Sequence, residues 1–170
     1  MQDISKLKLG ESDARLKLES SEDNRAAALA LASQARLTLD IFTPDLEKPL
    51  YDTPEFLQAV KQLAIRHART RIRILVQDAT HAVKNGHRLI YLAQRLSSKI
   101  TLRTPSAEYK PQRQCFLIAD GIGLMRRIDA ERYEGALNFK APMEAKEYEK
   151  FFDEVWLHSE IDPYLRRLHI

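Results

Sequence analysis

Apolar residues along the chain follow two periods, and the changes between them mark successive helices and strands. Runs rich in β-branched and aromatic residues predict strands at Leu37–Phe42, Arg71–Val76, Lys99–Arg103, Gln114–Ala119 and Ile122–Ile128. Apolar residues three or four positions apart predict helices from Ser21 to Ala35, from Thr53 to Ala64, from about Thr80 to Leu96 and from Pro142 to Trp156. The alternation in Arg15–Glu19 is typical of a short edge strand.

This order of elements indicates the fold class. Strands alternate with helices first, and the turn signal Asp120-Gly121 then predicts a hairpin that a last helix follows. We therefore expect an α/β fold in which helices flank a mixed, mainly parallel β-sheet. Residues 21–170 are predicted to form a single domain, and the order of the polar N-terminal segment 1–20 is left open.

Composition narrows the class of protein. The chain has 170 residues, of which 44% are hydrophobic and 30% charged, and this balance is typical of one soluble globular domain. The lone Cys115 cannot form an intrachain disulfide, which favours a reducing compartment. The N-terminus lacks the pattern of a secretory signal, and no apolar run approaches the ~20 residues of a membrane span. We expect a cytoplasmic protein without a membrane span.

Charge is unevenly distributed along the chain. Residues 61–140 carry 16 of the 27 Lys and Arg but only 6 of the 24 Asp and Glu, although the whole chain has a net charge of only +3. A basic centre between acidic ends predicts an anionic partner. Nucleic acid is one such partner, and a smaller phosphate-bearing ligand is another.

Candidate chemistry is expected where the predicted strands end. In an open parallel sheet, ligands bind beyond the carboxyl ends of the strands, where Thr43, Asp45 and Asp78 lie. Each of these residues is equally typical of a turn or a helix cap. The five histidines have no metal-ligand spacing with one another, with Cys115 or with a carboxylate, so the sequence predicts neither a metal nor a cofactor.

Two stretches in the second half carry a resemblance to a known family. Residues 110–121 read Lys-Pro-Gln-Arg-Gln-Cys-Phe-Leu-Ile-Ala-Asp-Gly, and residues 135–139 read Gly-Ala-Leu-Asn-Phe. They resemble one half of the phospholipase-D-like superfamily, whose motif is His-x-Lys-x4-Asp followed by Gly-Ser-x-Asn. Alignment on Asp120 puts Arg113 at the nucleophilic His and Cys115 at the phosphate-binding Lys, while Asn138 matches.

The resemblance departs from the family pattern in some places and extends beyond the motif in others. Ala136 stands where the family has Ser, and the stretch from Asp120 to Gly135 is several residues longer than usual. The similarity nevertheless covers roughly residues 26–157, including Arg71–Asp78 and the final Phe151–Trp156. The chain is also similar to an uncharacterised bacterial domain that is sometimes attached to acetyltransferases.

The replaced motif residues imply a protein without the family's catalysis. A phosphate nucleophile must offer a lone pair, and a guanidinium stays protonated, so Arg113 cannot act as one. No catalytic residue is predicted. The expected anion site has as its ligand-binding residues Arg113, Cys115, Asp120, Asn138 and Lys140, and as its rim Thr43, Asp45, Asp78 and Lys110.

The resemblance also implies a partner, because single-motif members of the superfamily pair two copies. The first hypothesis is therefore a non-catalytic phospholipase-D-like domain that binds a phosphate-bearing or other anionic ligand, or a partner protein, as a homodimer. An atypical phosphodiesterase or transferase, with Cys115 as its nucleophile, is an alternative. A third is an interaction module that serves an acetyltransferase.

Overall fold

An eight-stranded sheet forms the centre of the computed structural model, which describes residues 3–161 and Leu165. Across the sheet the strands follow the order β1-β7-β6-β5-β2-β3-β4-β8. Their bounds are β1 Leu16–Leu18, β2 Thr38–Thr43, β3 Arg71–Val76, β4 Ile100–Pro105, β5 Cys115–Ala119, β6 Gly123–Arg127, β7 Gly135–Asn138 and β8 Ser159–Glu160.

Helices cover the two faces of this sheet unequally. Their bounds are α1 Ser21–Gln34, α2 Lys48–Tyr51, α3 Pro54–Ile65, α4 Thr80–Lys84, α5 Arg88–Arg95 and α6 Pro142–Leu157, and a short 3₁₀ turn spans Ala107–Tyr109. The first five helices contribute to the larger of the two apolar clusters. Helix α6 packs on the opposite face, where its Phe152 and Val155 are fully buried against Phe42 and Phe116.

The mixed α/β sheet flanked by helices confirms the predicted fold class. Strand β2 pairs in parallel with β3, and β3 pairs in parallel with β4, whereas the remaining pairs are antiparallel. The parallel part is thus narrower than expected from the sequence. The physical reason is that parallel neighbours need a helical crossover between them, and among neighbouring strands only the pairs β2–β3 and β3–β4 are joined by one.

The predicted hairpin forms at Asp120-Gly121, and both turn residues have the positive φ that such a turn needs (54° and 66°). The turn fixes the register of β5 against β6, in which Ala119 faces Gly123 and Cys115 faces Arg127. This pairing brings Arg127 to the beginning of β5.

Three local features differ from the sequence pattern. The helix predicted from Thr80 to Leu96 is interrupted between α4 and α5, where Gly86 has a φ of 65°. Between the predicted strand that ends at Phe42 and the predicted helix from Thr53 lies the short helix α2, which was not predicted, and neither was β7. A four-residue strand that begins with glycine gives too weak an alternating pattern to be recognised.

The N-terminal segment, from residue 3 onward, packs along the sheet and α1. The backbone N–H of Leu9 donates to the side chain of Gln34 at 2.7 Å, and the N–H of Gly10 donates to the carbonyl of Phe139 at 2.8 Å. Strand β1 then pairs with β7 at the edge of the sheet, as the alternation in Arg15–Glu19 predicts.

Candidate functional site

The carboxyl ends of β2 and β3 meet the beginning of β5 at one edge of the sheet. This edge is formed by the ends of the strands and not by an outer strand. Phe42 on β2 faces Phe116 on β5, so Thr43 and Cys115 lie at the same end of neighbouring strands. The side chain of Gln77, directly after β3, donates to the carbonyl of Gln112 at 2.8 Å and accepts from its N–H at 2.9 Å. These two hydrogen bonds hold the loop before β5 against the end of β3. We call this region the strand-end site; it comprises Thr43, Asp45, Glu47, Asp78, Lys110, Arg113, Cys115 and Arg127.

The expected rim residues lie at this edge, and two of them stabilise turns. Thr43 is buried, and its hydroxyl accepts a hydrogen bond from the N–H of Leu46 at 3.2 Å. Asp78 accepts from the N–H of Thr80 at 3.0 Å. Its hydrogen bonds with Thr80, assisted by the nearby charge of Lys110, lower the pKa of the Asp78 carboxyl. Asp45 is exposed beside them.

Arg113 projects into solvent just before β5. Its side chain is 80% exposed, and its guanidinium approaches the carboxylate of Asp129 at 3.6 Å. The backbone carbonyl of Arg113 accepts a hydrogen bond from the N–H of Ala130 at 2.7 Å. The backbone at Arg113 is therefore fixed, whereas its charged group remains available to a ligand.

Cys115 lies two residues further along and is 5% exposed. Burial raises the pKa of its thiol to about 12, although the neighbouring Arg127 guanidinium opposes the shift. Only a very small fraction of the thiol is ionised at neutral pH, and a protonated thiol is a weak nucleophile.

A buried ion pair beneath Cys115 was missed by the sequence analysis. The side chain of Arg127 is 2% exposed; its Nη2 donates to Glu47 Oε2 at 2.6 Å and to the carbonyl of Ala130 at 3.1 Å. Among the described residues, Arg127 Nε and Nη1 and Glu47 Oε1 have no hydrogen-bond partner. Burial raises the pKa of the Glu47 carboxyl despite its contact with Arg127. Counting the hairpin register back from the turn would have placed Arg127 opposite Cys115.

The structure places three expected ligand-binding residues elsewhere. Asp120 lies at the far end of β5, about 17 Å from Cys115 by the rise of a strand. There its carboxylate accepts hydrogen bonds from the N–H groups of Arg36, Leu37 and Thr38 at 2.8 to 3.1 Å. This carboxylate therefore stabilises the beginning of β2, at the opposite edge from Arg113.

Asn138 and Lys140 also lie away from Arg113. Asn138 ends β7 and faces Leu124, and its side chain donates to Asp13 at 3.1 Å and accepts from the N–H of Lys140 at 2.9 Å. The reason is that the Gly-Ala-Leu-Asn stretch forms a strand of its own, which runs antiparallel to β6 and carries Asn138 toward the far edge. The five expected ligand-binding residues thus do not line a single pocket.

Two further features bear on possible ligands and location. No three His, Cys, Asp or Glu side chains in the described part of the chain form a group that could hold a metal ion. Within residues 3–161 and Leu165, no helix combines the length and apolar character needed to cross a lipid bilayer.

Comparison with solved structures identifies the fold as that of the phospholipase D family. Nuc from Salmonella typhimurium, described as a member of that family, is 15% identical with a TM-score of 0.63, over 86% of this chain and 97% of its own. NucT from Helicobacter pylori is 11% identical with a TM-score of 0.65, over 88% of this chain and 99% of its own. At such identities the likeness concerns the fold alone.

The sequence belongs to the family described as domain of unknown function DUF7931, whose model matches residues 20–168. A search of curated proteins gives no significant match. The archaeal chromatin protein TrmBL2, whose structure is described as showing a novel mode of DNA binding, is similar over 94% of this chain, with 12% identity and a TM-score of 0.67. This chain spans just over half, 57%, of the TrmBL2 chain.

Proposed function

We propose that the chain is a non-catalytic phospholipase-D-like domain that binds a phosphate-bearing or other anionic ligand at the strand-end site, as a homodimer. In the alignment on Asp120, the family's His and Lys are replaced by Arg113 and Cys115. A guanidinium has no lone pair to offer a phosphorus atom. The buried Cys115 thiol, with its pKa of about 12, stays protonated at neutral pH and is therefore a weak nucleophile. Both replacements disfavour a covalent mechanism.

The exposed Arg113 guanidinium carries the proposal of an anion site. Its side chain is 80% exposed at the strand-end site, and the exposed Lys110 is in the same loop. A phosphate contacting Arg113 and Lys110 would receive charge-assisted hydrogen bonds from both. The buried Arg127 has N–H groups without a hydrogen-bond partner and adds positive potential at the same site.

Titration with inorganic phosphate, followed by calorimetry, tests this site. We expect saturable binding that weakens at least about tenfold in Arg113→Ala, because one charge-assisted partner is lost. Arg95→Ala is the matched control, since Arg95 is an exposed cation on α5. No saturable binding, or equal affinity in both variants, would contradict the proposal.

The phosphodiesterase alternative has its own assay. The hypothesis of a non-catalytic domain predicts no turnover of bis(p-nitrophenyl) phosphate by the wild-type chain. Turnover that disappears in Cys115→Ala would instead support an atypical enzyme, because the thiol would then be the nucleophile.

Nucleic acid is a less favoured ligand, even though TrmBL2 is described as binding DNA. The densest basic stretch includes Arg66 and Arg69 and leads into β3. It lies at the edge of the sheet where β3 begins, whereas Arg113 lies where β2 and β3 end. A duplex needs cations along one continuous surface, and these groups are on opposite edges.

A further inference from the structure

One face of the sheet is covered by α6 over only part of its width. Helix α6 packs on apolar residues of β2, β3, β5 and β6, namely Phe42, Leu75, Phe116 and Leu124. On the same face, the cross-strand row continues from Phe116 to Arg126 on β6, Ala136 on β7 and Lys17 on β1. A groove lies over this second half of the row, and none of its lining residues belongs to a described helix.

The groove has the size of a small-molecule site. Its volume is about 500 Å³, within the range of about 300–1,000 Å³ that such sites occupy. Gly135 and Ala136 form a low floor along β7, and Ile128, which is 76% exposed, stands on the rim. A Cβ at Gly135 would collide with the backbone carbonyl of Arg126, so β7 passes close to its neighbour here.

Cations flank this floor on both sides. Arg15 and Lys17 stand along β1, and Arg126 and Arg132 stand along β6 and the loop after it. The cations on the β1 side and those on the β6 side are about 10 Å apart, because strand β7 lies between them. Two carboxylates, those of Asp129 and Glu134, also line the groove, which leaves an excess of two positive charges.

Ion pairs with neighbouring residues reduce this excess. Arg126 Nε contacts Glu144 on α6 at 2.5 Å, Lys17 contacts Glu19 at 3.3 Å, and Asp129 contacts Arg113 at 3.6 Å. Two lining cations and one lining carboxylate are therefore each paired with a residue outside the groove, which leaves an excess of one positive charge. This excess favours an anionic head group, and a phosphate offers three strong acceptor oxygens to the cations on both sides of the groove.

We propose that this groove is a second ligand site, which binds a small phosphate monoester with an apolar body. The phosphate carries about two negative charges at neutral pH and would lie between the two groups of cations. Its apolar body would contact Ala136 and Ile128. Among the described residues no aromatic side chain lines the groove, so this lining lacks the stacking platform of a single-stranded nucleic acid site. The proposal does not depend on the anion site at Arg113 and Lys110.

Monooctyl phosphate, used below its micellar concentration, is a suitable calorimetric probe. We expect saturable binding at least tenfold tighter than that of inorganic phosphate, which lacks the body, or octyl glucoside, which lacks the charge. Arg132→Ala should weaken binding of the probe about tenfold, since it removes one exposed cation. Ala136→Trp should weaken it further by filling the groove.

Two other variants separate this site from the strand-end site and from general charge effects. Lys110→Ala and the control Arg95→Ala should each leave the affinity for octyl phosphate within about threefold of the wild type. Because Arg132 is exposed in a loop, its variant tests the proposal even if Ala136→Trp does not fold. Equal affinity in Arg132→Ala and Arg95→Ala, equally tight octyl glucoside binding, or loss of binding in Lys110→Ala alone would overturn the second site.

Discussion

Arg113 and Cys115 stand two residues apart at the beginning of β5 and yet meet different environments. The Arg113 side chain projects into water, whereas Cys115 is covered and shares its surroundings with the buried Arg127 and Glu47. A guanidinium keeps its charge in either environment, but a thiol loses its ionised form when it is buried. Environment, rather than residue type alone, therefore sets the pKa of the Cys115 thiol.

The Cys115 thiol should react very slowly in the folded protein. With a pKa of about 12, its ionised fraction at pH 8 is roughly a thousandfold below that of a free cysteine. Labelling with N-ethylmaleimide, followed by intact mass spectrometry, should show modification in denaturant and almost none without it. Rapid modification of the native protein would contradict the buried, protonated thiol.

Asp120 should contribute to stability rather than to ligand binding. Asp120→Gly keeps the left-handed turn but removes the acceptor for three N–H groups, so we expect a loss of about 2 kcal/mol in the free energy of unfolding. Asp120→Asn retains one acceptor oxygen and should lose less than half as much. Urea denaturation measures both losses, and phosphate affinity should stay unchanged in either variant. Wild-type stability in Asp120→Gly, or weakened phosphate binding, would count against this role.

At the scale of elements, α6 is held to the sheet by a charged group as well as by aromatic packing. Arg73 on β3 donates to Asp40 on β2 at 2.8 Å and contacts Glu149 and Asp153 of α6 at 3.1 and 2.9 Å. Its guanidinium also lies over the ring of Phe152 at 4.8 Å. Burial, together with a hydrogen bond to Asp40, raises the pKa of the Glu149 carboxyl to about 8.

This shift predicts how stability depends on pH. In the unfolded chain Glu149 loses its proton near its ordinary value of 4.5, whereas the folded protein keeps the proton up to about pH 8. The contribution of Glu149 to stability is therefore complete below pH 4.5 and is lost as the pH rises toward 8. Urea denaturation from pH 5 to 9 should show a steeper decline in the wild type than in Glu149→Gln.

Glu147→Gln is the control for this pH profile, because Glu147 is an exposed carboxylate on the same helix. Its profile should follow that of the wild type. Parallel profiles for Glu149→Gln and the wild type would show that this carboxyl does not set the pH dependence.

At the scale of the whole molecule, the distribution of charge matters more than its total. The cations of residues 61–140 separate into groups at opposite edges and faces of the sheet. Arg113 and Arg127 belong to the strand-end site, Arg126 and Arg132 to the groove, and Arg66 with its neighbours to the edge where β3 begins. The structure thus favours separate anion sites over a single nucleic-acid surface.

The proposed homodimer brings two Arg113 side chains together, so an anion between them should strengthen it. Light scattering is expected to give twice the chain mass of 19.6 kDa, with a dissociation constant that falls when inorganic phosphate is added. The phosphate effect should be lost in Arg113→Ala and kept in Arg95→Ala. A monomer at every concentration, or a dimer indifferent to both phosphate and Arg113, would contradict this arrangement.

The sequence by itself determined most of the elements, because periodicity and turn residues are local properties. The strands from β2 to β6, the hairpin at Asp120-Gly121 and the apolar stripe of α6 could all be predicted from neighbouring residues. The fold class followed from their order. The local pattern also put Cys115 in the first part of a strand, because Cys115 opens the apolar run of β5, and Arg113 lies two residues before it.

Only the tertiary structure decided which of these residues meet. It separated Asp120 and Asn138 from Arg113, because β5 and β7 extend these residues toward the far edge of the sheet. It joined Arg127 to Glu47, which lie 80 positions apart in the chain. Within the part of the chain that the structure describes, it also left the groove over β7 and β1 without a covering helix. Burial and long-range pairing depend on contacts between distant segments of the chain. A local sequence pattern does not predict these contacts.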